Sequence, residues 1–168
     1  MGVGSQRVAI EDPTLEKTFN IARKKAPNAF LIANLGCPQL AKGYGVREAT
    51  KAVEMIEADA LAIHLNPLQE AVQPEGETDY RGILEKIGEL VNSLAFPIIA
   101  KETGAGIAAE EAKMLQAIGV AGIDVAGAGG TSWAAVEYYR ARKQGNHPAQ
   151  MLGEALCDWG VPTVISLV

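Results

Sequence analysis

Four short runs of the chain are continuously apolar and then end in glycine or polar residues: 30–36, 60–66, 97–104 and 122–127. Unbroken apolar runs, rather than alternating ones, suit strands buried on both faces. Helical periodicity lies between them. Residues 46–58 place Val46, Ala49, Val53 and Ile56 at spacings of three and four, with Glu48, Lys51 and Glu57 on the other side. Residues 80–93 repeat the pattern with Ile83, Leu84, Ile87, Leu90 and Val91, and 109–118 with Ala112, Leu115 and Ile118. A further helix is expected over 134–142, and residues 1–8 are read as a fifth, shorter strand.

Strand starts fall about 30, 37 and 25 residues apart, the length of one βα unit, so the expected class is α/β with a parallel sheet and right-handed crossovers. An open doubly wound sheet and a (β/α)8 barrel share this pattern; a barrel uses roughly 250 residues, or about 31 per unit. The 168 residues therefore hold about five units. They form one domain over 1–168: a five-stranded open sheet or an incomplete TIM-type barrel.

Both architectures work at the C-terminal ends of their strands. Ser5, Gln6, Arg7, Asn34, His64, Asn66, Gln69, Glu70, Lys101, Glu102, Thr103 and Thr131 all fall there. A purely structural rim more often carries Gly, Asp or Ser for turns and caps. Here cations, amides and a carboxylate recur on successive rims, which points to a ligand.

Charge narrows the choice. Fifteen Lys plus Arg stand against 20 Asp plus Glu, a net charge of −5 with no basic run, so nucleic acid is not an expected partner. No apolar stretch approaches the roughly 18 residues of a membrane helix, and the first residues lack a signal-peptide plan. Cys37 and Cys157 have no close Cys or His to suggest a disulfide framework or metal knuckle. The expected location is the cytoplasm.

Arg7, His64 and Lys101, supported by Asn34, Asn66 and Gln69, suit a phosphorylated ligand. Glu70, a single acid among these groups, either holds Mg2+ against phosphate oxygens or acts as a general acid or base. His64 alone reads more readily as a satisfied core or turn histidine than as a catalyst. His147, in Gln144-Gly145-Asn146-His147-Pro148, is expected on an exposed loop. The stretch Gly127-Ala128-Gly129-Gly130-Thr131-Ser132-Trp133 could bring backbone N–H groups up to an anion or a flat ring, although it lacks dinucleotide and P-loop spacing. Tyr44, Tyr138 and Tyr139 read as packing residues.

Five blocks then recur in one order: Val3-Gly4-Ser5-Gln6-Arg7; Ala33-Asn34-Leu35-Gly36; His64-Leu65-Asn66-Pro67-Leu68-Gln69-Glu70 with Pro74-Glu75-Gly76; Lys101-Glu102-Thr103-Gly104; and Gly129-Gly130-Thr131-Ser132-Trp133. Together they resemble the type 2 isopentenyl diphosphate isomerases, flavin-dependent (β/α)8-barrel enzymes of isoprenoid biosynthesis. The resemblance implies FMN contacts at Ser5, Asn34, Lys101 and Thr131, with the Lys101 cation favouring anionic reduced flavin. It implies substrate contacts at Ser5, Gln6, Arg7, His64, Asn66 and Gln69, a catalytic part for His64 and Gln69, and Mg2+ on Glu70. Glu137 matches a further acid of the family. The implied reaction converts isopentenyl to dimethylallyl diphosphate by adding one proton and removing another, with reduced FMN as acid and base and NADPH as the reductant. Family members are commonly homo-oligomers, tetramers or octamers.

The match begins at what resembles the second barrel strand and stops before the seventh, so the first strand and the last two have no counterpart. The chain therefore reads as a fragment, with an inactive flavin- or phosphate-binding piece as the alternative. Another FMN barrel oxidoreductase would need a late-strand catalytic His or a redox-active loop Cys or Ser, and none is evident.

Overall fold

The computed structural model describes residues 1–167. Its elements run α1 (Arg7–Glu11), a 3-10 turn (Pro13–Leu15), α2 (Lys17–Lys25), β1 (Ile32–Gly36), α3 (Cys37–Ala41), α4 (Val46–Ile56), β2 (Ala60–His64) and α5 (Pro67–Val72). There follow α6 (Ile83–Ser93), β3 (Ile98–Lys101), α7 (Ala109–Ala117), β4 (Gly122–Asp124), α8 (Trp133–Gln144), α9 (His147–Ala155) and α10 (Thr163–Ser166).

The four strands form one sheet in the order β1-β2-β3-β4, with β1 parallel to β2 and β2 parallel to β3. Each strand thus lies beside its predecessor. A doubly wound sheet reverses its order at a switch point, whereas a barrel never does. The fold is therefore α/β of the incomplete (β/α)8 type. The expected fifth strand over 1–8 reduces to a single parallel bridge, Gly2 to Ile32, before the chain turns into α1. Another isolated parallel bridge joins Ala128 to Pro162.

The chain divides into two compact units. The first comprises Met1–His64, Tyr80–Lys101 and Lys113–Ile123; the second comprises Leu65–Asp79, Glu102–Ala112 and the chain from Asp124 onward.

The core of the first unit is the sheet with the helices laid on it. Leu31, Ala33, Leu35, Leu61, Ile63, Ile98 and Ala100 are buried, as are Ala49, Ala52, Val53 and Ile56 of α4 and Ile83, Ile87 and Leu90 of α6. The three-four helical spacing predicts Ala49, Val53, Ile56, Ile83, Ile87 and Leu90, but Val46 is exposed. Of the strands only β2 is buried on both faces as its unbroken run predicts, while β1 and β3 alternate and β4 buries no residue. Each fully buried Leu or Ile contributes roughly 1.5–3 kcal/mol. α4 begins where Glu48 reaches back to accept the Gly45 N–H (3.0 Å), a bond that holds its carboxyl below the usual range.

In the second unit α8 and α9 pack closely, with α5 against α8. α8 starts at Ser132, whose Oγ accepts the Ala135 N–H and donates to the Cys157 carbonyl (2.7 Å). It stops at Gly145, at φ 70°, and α9 starts at once with Asn146 as its cap. The exposed loop expected around His147 is therefore the start of a helix, although His147 itself is exposed.

Candidate functional site

In the first unit, strand register puts Gly36, His64 and Lys101 in one row at the C-terminal ends of β1, β2 and β3. Gly36 has a steric reason to be glycine: a Cβ there would lie 2.8 Å from His64 Nε2. The imidazole occupies that space, and its Nδ1 meets Asn34 Oδ1 at 2.8 Å. Asn34 Nδ2 donates to the Val3 carbonyl (2.9 Å). Because a carbonyl only accepts, this bond orients the amide and makes His64 Nδ1 the donor to Asn34. Asn34, His64 and Lys101, all singled out in the sequence, thus share one edge of the sheet.

Ser5 and Arg7 are exposed, on the segment that runs beside β1. Gln6, expected at the substrate, is wholly buried. Its Nε2 donates to the Ala52 carbonyl (2.8 Å), its Oε1 accepts the Asn34 N–H (2.9 Å), and its own N–H bonds the Asn34 carbonyl (2.9 Å). The side chain ties the N-terminal segment to α4 and β1.

In the second unit Asn66, Gln69 and Glu70 come together on α5, whose start Pro67 fixes. Asn66 is buried and donates through Nδ2 to Glu70 Oε1 (2.9 Å), while Glu70 Oε2 accepts the Glu77 N–H (2.6 Å). The Asn66 Oδ1 is buried without a hydrogen-bond partner. A buried orphan acceptor beside a carboxylate is costly unless a donor or a cation completes it. No group of three or more metal-ligating His, Cys, Asp or Glu residues exists among the described residues.

A cavity of about 290 Å³ is walled by Gln69, Gly104, Gly129, Thr131, Trp133 and Trp159, among others. Gly104 has φ +142°, and a Cβ there would sit 3.4 Å from the Thr131 carbonyl, so this wall is bare backbone. Thr131 is exposed at it. Glu102 is buried behind the wall, its Oε2 accepting the N–H groups of Thr103, Gly104 and Ala105 at 2.6–2.7 Å. Glu102 thereby shapes the rim turn. A neighbouring, more apolar cavity of about 800 Å³ is lined by Leu65, Pro67, Ile107, Leu156, Trp159 and Val161. Trp159 lines both cavities and is not among the residues that the sequence singles out. Its only signal in the sequence is a large aromatic placed before Gly160 and the short apolar run beyond it.

Glu137 is buried on α8 and paired with Arg140 one turn later, at 3.2 Å. It is not the exposed helix glutamate that its neighbours in sequence allow.

No helix among the described residues is long and apolar enough to cross a membrane. No family model matches the chain. Over all 168 residues it is 56% identical to the isopentenyl-diphosphate delta-isomerase of Ignicoccus hospitalis, covering 47% of that protein. It is 56% identical to the enzyme of the same name from Methanosarcina barkeri, covering 46% of it. The Pyrococcus furiosus counterpart is 50% identical over 175 residues, with 99% of this chain and 42% of that protein covered. The chain thus spans somewhat under half the length of these curated relatives. Among solved structures, the YdjI aldolase of Escherichia coli K12 overlaps 84% of the chain and half of its own, at a TM-score of 0.43 and 15% identity, too distant to bear on chemistry. With five blocks of rim residues in order, a singly wound parallel sheet and identity above one half along its whole length, the chain is homologous to a stretch of somewhat under half of the proteins named isopentenyl-diphosphate delta-isomerase.

Proposed function

We propose that this chain carries part of the site of a flavin-dependent isomerase interconverting isopentenyl and dimethylallyl diphosphate. The observation that carries the reading is the α5 cluster, where Asn66, Gln69 and Glu70 converge around a buried unpartnered amide oxygen, in a chain whose relatives are named for that isomerisation.

The residues present fit the groups that such an enzyme needs. Glu70 keeps lone pairs beyond its two hydrogen bonds, and the Asn66 Oδ1 lacks a partner, so together they suit a hydrated Mg2+, which takes one or two carboxylates and retains waters. The glycine-walled cavity with Thr131, Trp133 and Trp159 suits a flat heteroaromatic ring. Resemblance to the family assigns Ser5, Asn34, Lys101 and Thr131 to FMN, and reduced FMN would supply the acid-base chemistry of the double-bond shift.

The protein's own residues then bind and orient. Arg7 and His64 offer charge-assisted bonds to the diphosphate, with Asn66 and Gln69 as neutral donors. The Nδ1 bond to Asn34 fixes the ring of His64, which gives the residue a defined protonation pattern on the sheet edge. Lys101 would offer a cation to the flavin, favouring its anionic reduced form. Since the alkenyl tail has few atoms to grip, binding energy from the diphosphate and its metal must position it. The assigned reductant is NADPH, the assembly a homo-oligomer and the compartment the cytoplasm.

The test is isomerisation of isopentenyl diphosphate by the 168-residue chain in deuterated buffer with FMN, NADPH and Mg2+, followed by NMR. Deuterium-labelled dimethylallyl diphosphate is expected, and its formation should fall at least tenfold in Glu70→Gln. Flavin binding without turnover would instead favour a binding piece of a larger catalyst.

A further inference from the structure

From a chain of contacts that reaches Glu70 from the far side of the second unit, we infer that Arg140 on α8 is a positioning residue for that carboxylate. Arg140 does not touch Glu70. Its Nη2 bonds Glu75 Oε1 at 2.5 Å, and its Nη1 bonds Glu137 Oε2 at 3.2 Å, three residues back on the same helix. Glu137 is buried, with 8% of its side chain exposed, so Arg140 is anchored on α8 at one end and grips a loop residue at the other. The grip holds Glu75 well charged: the Arg140 guanidinium lowers its carboxyl from the usual range.

Glu75 belongs to a tight turn in which the Gly76 N–H bonds the Gln73 carbonyl at 3.1 Å. A Cβ on Gly76 would overlap the Glu70 carbonyl, so the turn is pressed directly against the backbone of Glu70. The next residue, Glu77, gives its N–H to Glu70 Oε2 at 2.6 Å. Arg140, Glu75, the turn and the Glu77 amide therefore form one continuous path to the carboxylate. The turn lies against Glu70, and the Glu75 to Arg140 pair tethers it to α8. Releasing the tether frees the Glu77 N–H and lets the carboxylate leave the orientation in which its second oxygen lies beside Asn66.

The role assigned to Arg140 rests on the reading of Glu70 as the metal carboxylate, and the test separates the two. Hydrogen–deuterium exchange of residues 74–78 and Mn2+ binding, read by its paramagnetic resonance signal, are measured on the 168-residue chain and on Glu75→Gln, Arg140→Lys and Glu70→Gln. Glu75→Gln removes the tether while leaving the Glu137 and Arg140 pair in place. It should speed exchange at Glu77 and weaken Mn2+ binding about two- to fivefold, the range of an ionic contact at this exposure. Arg140→Lys, which keeps a charge but not the forked donor, should recover part of both. If Glu75→Gln leaves exchange at Glu77 unchanged, or if Glu70→Gln abolishes Mn2+ binding while Glu75→Gln does not alter it, Arg140 is not a positioning residue. If Glu70→Gln itself leaves Mn2+ binding intact, the metal reading of Glu70 fails, and exchange at Glu77 alone decides whether the tether exists.

Discussion

Asn34 and His64 are joined across neighbouring parallel strands by a 2.8 Å bond from Nδ1 to Oδ1, over a glycine that leaves the ring its space. The same Asn34 amide is held by Val3, so one side chain links the N-terminal segment, β1 and the imidazole. Asn34→Leu keeps the size and removes both bonds, leaving the Val3 carbonyl without its donor and His64 without this acceptor. The expected loss is about 1–3 kcal/mol, read by urea unfolding, together with a changed 15N shift of His64 Nδ1. An unaltered Nδ1 resonance would show that the bond does not exist in solution.

Gln6 is a scaffold residue. With its amide bonded to Ala52 and Asn34 and no exposed surface, Gln6→Ala opens a cavity and leaves the Asn34 N–H without its acceptor. A loss of about 2–4 kcal/mol is expected, visible as a lower urea midpoint. A variant with wild-type stability but weakened diphosphate binding would return Gln6 to the substrate.

Asp59 makes part of the stability of the first unit depend on pH. Its Oδ2 accepts the Leu31 N–H (2.8 Å) and the Arg23 guanidinium (3.0 Å), and these bonds, the backbone one first, hold its carboxyl below the ordinary value. A depressed folded-state value stabilises the native form above the unfolded value, about 3.9, and the contribution is lost as pH falls through the folded value. Asp59→Asn should therefore be less stable than wild type at neutral pH, and the gap should close below about pH 4. A gap that persists unchanged into strong acid would contradict the assignment.

Gly153 lets α8 and α9 approach. A Cβ there would lie 2.8 Å from the Tyr138 nitrogen and 3.0 Å from the Ala134 carbonyl. Helix propensity alone would make Gly153→Ala stabilising by about 1 kcal/mol, whereas the backbone overlap makes it destabilising by about 1–3 kcal/mol. Thermal or urea unfolding gives the sign, and a stabilised variant would mean the helices pack less closely.

The strands were legible because their apolar runs are short and end in glycine or polar residues: residues 30–36 and 60–66 contain β1 and β2 with little margin, and His64 falls at the rim as expected, although only β2 is buried on both faces and β1 and β3 alternate. α4 and α6 were legible through their apolar stripes. α2 was not, because Lys17–Lys25 buries no residue and so carries no such stripe. The start of α9 is not legible because Gly145-Asn146-His147-Pro148 is turn composition; the same residues also end one helix in the left-handed region and cap the next. The placement of Asn34 and His64 toward the C-terminal ends of β1 and β2, and of Asn66, Gln69 and Glu70 at α5, was legible in the order of apolar runs and polar residues. The burial of Gln6 and the tether from Arg140 to Glu75 were not, since both depend on contacts between segments more than 40 residues apart.

Whether the chain carries the proposed flavin-binding rim residues is decided by its visible spectrum. The purified 168-residue chain is incubated with FMN, freed of unbound flavin by gel filtration and scanned, beside Lys101→Ala and Thr131→Ala. Flavin absorbance co-eluting with folded wild-type protein, and reduced in both variants, is the expected result. Folded protein that elutes without flavin would contradict the claim, and equal retention in all three would place the flavin away from Lys101 and Thr131.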